Sequence, residues 1–202
     1  MDVALGINTG FATNRFPEPE EWTRIVAEEL GLNIVQFTAD LLNVFLPEAI
    51  VAREAEKIRG LCDRHGIRIQ TTFTSAFTRV NHLCHPNPDI RRVWVDWFKR
   101  FLRLSKDLGA EGAGSHFGIL SVRDNADPMV REERLGQAVS AWRELADVGA
   151  ELGLEYLLFE PMSIPRELGE TIPATRDLLE RCSGFAIPMR LCLDVDHGDL
   201  AS

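Results

Sequence analysis

The feature that most limits the fold of this chain is a regular alternation of short β-rich runs with longer amphipathic helical stretches. Each cycle spans about 30 to 45 residues, the size of a strand–helix–strand unit. The apolar runs predict six strands, at Val3–Asn8, Asn33–Phe37, Ile67–Phe73, Glu111–Ser115, Tyr156–Phe159 and Arg190–Leu193. Parallel strands joined by helical crossovers form either an open doubly wound sheet or a barrel.

The turn after the first strand separates these two architectures. A dinucleotide-binding open sheet carries GxGxxG there, whereas this chain reads Asn8-Thr9-Gly10-Phe11-Ala12. The sequence also lacks a GxxxxGK[ST] phosphate loop. We therefore predict an α/β fold of the TIM (β/α)8 barrel class, with about six βα units present. Residues 1–202 are expected to form a single partial barrel domain holding strands one to six, with strands seven and eight missing.

Charge and cysteine usage restrict the partners and the compartment. The net charge of −9 argues against a protein that coats nucleic acid or an anionic membrane. The four cysteines are scattered without a CxxC pair, which is typical of reduced thiols in a cytoplasmic protein. The N-terminus does not read as a signal peptide, and no apolar run approaches the roughly 20 residues of a membrane span.

Two acids stand where a barrel places its active site, at the carboxyl ends of strands. Glu160 and Asp194 each follow a nearly apolar run. On neighbouring strands, spaced about 4.8 Å, their carboxylates would repel and raise each other's pKa. A divalent cation relieves that repulsion, and His197 could fold back over the same opening. Two ordinary loop acids remain an open alternative.

Other polar residues near strand ends are candidates for substrate binding. Asn8 and His116 end strands one and four, and Arg166 follows strand five. The arginine could hold a phosphate through its fork of N–H groups, or it could simply be solvated. The run His82–His85 contains histidine and cysteine but matches no zinc template, so a loop before a helix is the simpler interpretation.

Several segments together resemble a known family. They are Leu5–Thr9, Gly109–His116, Glu160 and Leu193-Asp194-x-x-His197. The chain resembles, over essentially its whole length, the sugar phosphate isomerase/epimerase branch of the xylose-isomerase-like TIM barrels. The Thr72-Phe73-Thr74 strand and the His85-Pro86 loop are similar to those of ketotetrose-phosphate (erythrulose phosphate) 3-epimerases.

The resemblance implies a set of site residues. In the family a strand-five glutamate and a strand-six aspartate bind one divalent metal, together with a histidine from strand seven and a glutamate from strand eight. By resemblance Glu160 and Asp194 take the first two roles, with Mn²⁺, Mg²⁺, Co²⁺ or Zn²⁺ as the ion, and Glu160 is also a catalytic base. His197 would hold the substrate and His116 would line the pocket.

The resemblance also implies an activity: metal-dependent proton abstraction next to the carbonyl of a sugar or sugar phosphate, in carbohydrate catabolism. The full-length enzyme would be a ketose 3-epimerase or an aldose–ketose isomerase and a homo-oligomer. The last two metal ligands would lie beyond Ser202, so weak or no activity is expected for these 202 residues alone.

Three alternatives stay open at this point. They are a metal-dependent dehydratase or lyase resembling inosose dehydratase, an abasic-site nuclease resembling endonuclease IV, and a non-catalytic remnant. Thr74-Ser75 stands where the nuclease branch has a further zinc-binding histidine, which argues against the nuclease.

Overall fold

The computed structural model describes residues 3–195, and its centre is one six-stranded parallel sheet. The strands are β1 (Ile7–Asn8), β2 (Ile34–Thr38), β3 (Arg68–Phe73), β4 (Gly112–His116), β5 (Tyr156–Glu160) and β6 (Met189–Leu191). Each strand pairs with the next one in the chain. Sequential parallel order is that of a TIM barrel and differs from the reversed order of a doubly wound sheet, so the predicted class is confirmed.

Helices connect the strands on the outside of the sheet. They are α1 (Pro19–Arg24), α2 (Glu48–His65), α3 (Pro88–Asp107), α4 (Val122–Ala126), α5 (Pro128–Leu152) and α6 (Ile172–Arg181). Proline stands in the first turn of α1, α3, α5 and α6, where its missing N–H has no helical partner to lose. Helices α2 and α5 end at Gly66 and Gly153, which both adopt the left-handed backbone conformation. No helix in the described range is long and apolar enough to cross a bilayer.

Side chains of the central strands alternate between the two faces of the sheet. Leu157 and Phe159 of β5 join the large core beneath the helices, whereas Tyr156 and Leu158 pack with Phe73 in a separate interior cluster. Glu160 continues this interior series at the end of the strand. The alternation therefore directs the β5 carboxylate into the barrel.

The structure corrects several predicted boundaries. The strand predicted from Val3 begins only at Ile7, and the side chains before it are exposed. The reason is that pairing with β2 starts at Val35, so earlier residues have no neighbouring strand in the described range. Between β1 and β2, α1 continues directly into a π-helical turn at Ile25–Glu29.

Candidate active site

A cavity of about 560 Å³ opens at the carboxyl ends of the strands. Its polar wall residues lie on the strands or in the segments that follow them. They are Asn8, Gln36, His116, Glu160, Cys192 and Asp194, together with Ser75 and Arg79 from the loop after β3. Four of the six predicted site residues, namely Asn8, His116, Glu160 and Asp194, therefore share one cavity, as expected for the active end of a barrel.

His116 and Glu160 are two nearly buried polar residues of this wall. They are paired residues at the ends of β4 and β5, and they are only 5% and 8% exposed. Nε2 of His116 lies 3.6 Å from Oε2 of Glu160. The histidine ring also meets the Phe73 ring edge-on, with centroids 6.0 Å apart. The imidazole is thus held against both the carboxylate and an apolar wall.

A chain of side-chain hydrogen bonds organises the other side of the cavity. Nδ2 of Asn8 donates to Oε1 of Gln36 at 2.7 Å. Nε2 of Gln36 donates to Oγ1 of Thr71 at 3.1 Å and points to Sγ of Cys192 at 3.8 Å. Burial raises the pKa of the Cys192 thiol, partly offset by the hydrogen bond from Gln36, so it stays protonated near neutral pH. Asn8 is therefore fixed by neighbours and presents a neutral amide to the cavity.

Asp194 lies three residues beyond the end of β6 and lines the same cavity as Glu160. Two carboxylates on one wall suit a hard divalent cation, which prefers oxygen ligands. Residues 3–195 contain no group of three or more histidine, cysteine, aspartate or glutamate side chains placed to hold a metal ion. Within the described residues, Glu160 and Asp194 therefore fit a cation site as part of its ligand set. His197, predicted to bind substrate, lies outside the described residues.

Arg166 does not line the cavity. Its Nη1 donates to the backbone oxygen of Leu120 at 3.4 Å, outside the wall. The arginine on the wall is Arg79, which the sequence reasoning missed. It pairs with Glu167, and the two residues are 88 positions apart in loops without periodicity, so no local pattern signals the pair.

The family of the chain follows from comparison with known proteins. A family model described as xylose isomerase-like TIM barrel matches residues 25–199. The chain belongs to this family, which confirms the resemblance inferred from its motifs.

One curated relative is D-erythrulose 1-phosphate 3-epimerase of Brucella abortus (strain 2308), 38% identical over 204 residues. The match covers 100% of this chain and 66% of the relative, so the chain spans slightly under two thirds of that protein's length.

Solved structures show the same fold. A Rhodospirillum rubrum protein provisionally assigned as a xylose isomerase superimposes with a TM-score of 0.91 at 29% identity, covering 96% of this chain and 66% of that one. D-Psicose 3-epimerase from Clostridium cellulolyticum H10 matches with a TM-score of 0.75 at 18% identity, covering 99% and 67%. The second likeness concerns the fold alone.

Proposed function

We propose that this chain carries the substrate cavity of a metal-dependent sugar or sugar phosphate isomerase/epimerase, which removes a proton next to a ketose carbonyl. The observation that carries the proposal is the nearly buried carboxylate of Glu160, which faces the same cavity as Asp194 and lies beside His116. The similarity to an erythrulose phosphate epimerase supports the substrate class. The activity is proposed for the complete gene product.

Glu160 and Asp194 would hold a divalent ion, one of Mn²⁺, Mg²⁺, Co²⁺ or Zn²⁺. Carboxylate oxygens are ligands that these ions accept. When bound, the ion supplies Lewis-acid stabilisation of the negative charge that develops at the substrate carbonyl.

The protein's own side chains carry the proton chemistry and the orientation of the substrate. Glu160 takes the α-proton as general base, and its low exposure limits competition from water. His116 orients that carboxylate and offers an imidazole to a substrate hydroxyl. Asn8, held by Gln36, supplies an amide for a second hydroxyl. His197 stays a prediction as a further substrate-binding residue, whereas Arg166 lies off the cavity wall and has no role in this proposal.

Solvent hydrogen exchange tests the reaction class directly. In D₂O the complete gene product should incorporate deuterium at the carbon next to the carbonyl of a ketose or ketose phosphate, which proton NMR detects. Glu160→Gln should lower the exchange rate about 100-fold or more, the range typical of a lost general base. Glu111→Gln is the matched control, because Glu111 immediately precedes β4 at the opposite end of the sheet. Absence of exchange with every ketose and ketose phosphate would remove the proposal.

A further inference from the structure

The loop after β3 places a positively charged side chain on a cavity wall whose other charged residues are acidic. Within residues 3–195, Arg79 is the sole lysine or arginine on this wall, whereas Glu160 and Asp194 are both acidic. A ligand with an anionic group and a polyhydroxy chain would meet opposite charges at different parts of one cavity. Arg79 is therefore the residue on this wall suited to an anion.

Arg79 is held rigidly by a buried acid. Its Nε and Nη2 donate to Oε1 and Oε2 of Glu167, each at 3.2 Å, in a two-point contact. The Glu167 side chain is 3% exposed, whereas the Arg79 side chain is 40% exposed. The pair is thus asymmetric: the Glu167 carboxylate is enclosed in the protein, whereas the side chain of Arg79, a residue of the cavity wall, is partly exposed.

The segment that carries Glu167 is itself anchored. The backbone N–H of Leu120 donates to the backbone oxygen of Arg166 at 2.7 Å, and the backbone N–H of Leu168 donates to the backbone oxygen of Gly118 at 2.9 Å. These bonds join the loop after β5 to the loop after β4. The acid that orients Arg79 therefore sits on a fixed backbone, which reduces the entropy lost when the guanidinium binds a ligand.

The hydrogen-bonding capacity of the guanidinium is not exhausted by this contact. Arginine has five N–H groups, and the contact with Glu167 engages two of them. The two terminal nitrogens still present an edge that matches two oxygens of a phosphate.

We propose that Arg79 is a specificity-determining residue that binds the phosphate of a phosphorylated ketose, and that Glu167 is its positioning residue. The inference rests on the proposed function for its sugar substrate and adds that the preferred substrate is phosphorylated. It also assigns the anion contact to the loop after β3 instead of to Arg166.

The primary test compares a ketose phosphate with its unphosphorylated counterpart in the complete gene product. Arg79→Gln should lower kcat/KM for the phosphate on the order of 10- to 100-fold, mainly through KM, the size expected for charge-assisted hydrogen bonds. The ratio of kcat/KM for the ketose phosphate to kcat/KM for the unphosphorylated ketose should therefore fall. Glu167→Gln should raise KM for the phosphate with little change in kcat. The assignment would be overturned if Arg79→Gln lowered kcat/KM equally for both substrates. It would also be overturned if Arg166→Gln, and not Arg79→Gln, lowered kcat/KM for the phosphate alone.

The matched control is Arg131→Gln. Arg131 makes an ion pair with Glu170 through one hydrogen bond of 2.6 Å, and neither residue lines the site cavity. This variant should behave as the wild type on both substrates. The thermal melting temperature of each variant separates an effect on binding from unfolding. Arg79→Lys is a conservative alternative that keeps the positive charge but loses the two-point hydrogen bonding of the guanidinium.

Calorimetric titration with inorganic phosphate gives a readout independent of turnover. The wild type should bind phosphate and Arg79→Gln should lose that binding at least about tenfold. Equal binding by both proteins, or none by the wild type, would overturn the role of Arg79. This titration still tests the role of Arg79 if no ketose is turned over. That absence of turnover would count against the proposed function alone.

Discussion

The imidazole of His116 and the carboxylate of Glu160 meet at the ends of two strands whose backbones are in register, with Nε2 3.6 Å from Oε2. Both side chains are nearly buried, and the β4–β5 pairing and the Phe73 ring both limit their relative position. This contact connects the fold to the proposed chemistry, because it orients the carboxylate assigned as base.

Removing the imidazole should therefore impair catalysis more than stability. We expect His116→Asn to lower kcat for deuterium exchange on the order of 10- to 100-fold, because a misplaced base loses its alignment with the substrate. Exchange rates across a pH series with the complete gene product give the measurement. His85→Asn serves as the control, since His85 lies in the loop before α3 and does not line the cavity. An unchanged rate in His116→Asn would show that the contact has no catalytic role.

Glu160 and Asp194 should contribute jointly to cation binding. Asp194→Asn and Glu160→Gln should each weaken Mn²⁺ binding to the complete gene product by at least about tenfold, the loss seen even for outer-shell partners of a metal site. Electron paramagnetic resonance of free Mn²⁺ measures this without turnover. Glu111→Gln should leave the affinity unchanged, and an Asp194→Asn protein that binds Mn²⁺ like the wild type would contradict the shared site.

His82 should make the stability of the chain depend on pH. Burial, with a smaller contribution from His116, lowers the pKa of His82 from 6.5 to about 3. An unfolded histidine is protonated below about pH 6.5, whereas the folded one stays neutral, so folding stability is lost as the pH falls from 6.5 towards 3. For one proton, the decrease in the free energy of unfolding approaches about 1.4 kcal/mol per pH unit.

Chemical denaturation between pH 7 and pH 4.5 checks this slope. His82→Asn removes the titrating group and keeps a residue that tolerates the positive φ of 26° found at this position. Its unfolding free energy should fall less steeply with decreasing pH than that of the wild type, whatever its absolute stability. Parallel slopes for wild type and His82→Asn would contradict the prediction.

The interior of the barrel should not accept a side chain on β4 at Gly114. A Cβ there would lie 2.5 Å from Cβ of Leu158 and 2.9 Å from the Leu158 backbone oxygen, so the strands would have to move apart. We expect Gly114→Ala to lower the free energy of unfolding by about 1–3 kcal/mol, the usual effect of overpacking.

Gly136 in α5 provides the matched comparison for the same chemical change. A Cβ at Gly136 would meet nothing within 4 Å, and alanine is the better helix former. Gly136→Ala should therefore raise stability by about 0.5–1 kcal/mol. Urea denaturation of the two variants measures the contrast, and a Gly114→Ala protein as stable as the wild type would refute the tight packing between β4 and β5.

Local patterns alone were sufficient to predict the barrel class and the position of Glu160. Strand residues alternate faces with a period of two, and apolar runs between helices specify parallel units, so the acid after Phe159 could be assigned to a strand end. The family motifs likewise depend on short spacings. The limits of β1 were predicted wrongly because they depend on where β2 offers a partner, which a single run of residues does not show.

Only the tertiary structure decided which arginine reaches the cavity. Arg166 follows a strand tip in the sequence and yet lies off the wall, whereas Arg79 lies on the wall and pairs with Glu167. Loops have no periodicity, and their long-range contacts form only after the strands have placed their ends side by side. The sequence by itself therefore determined the class of fold and the acid of β5, and the packing of loops over the barrel decided which charged groups surround that acid.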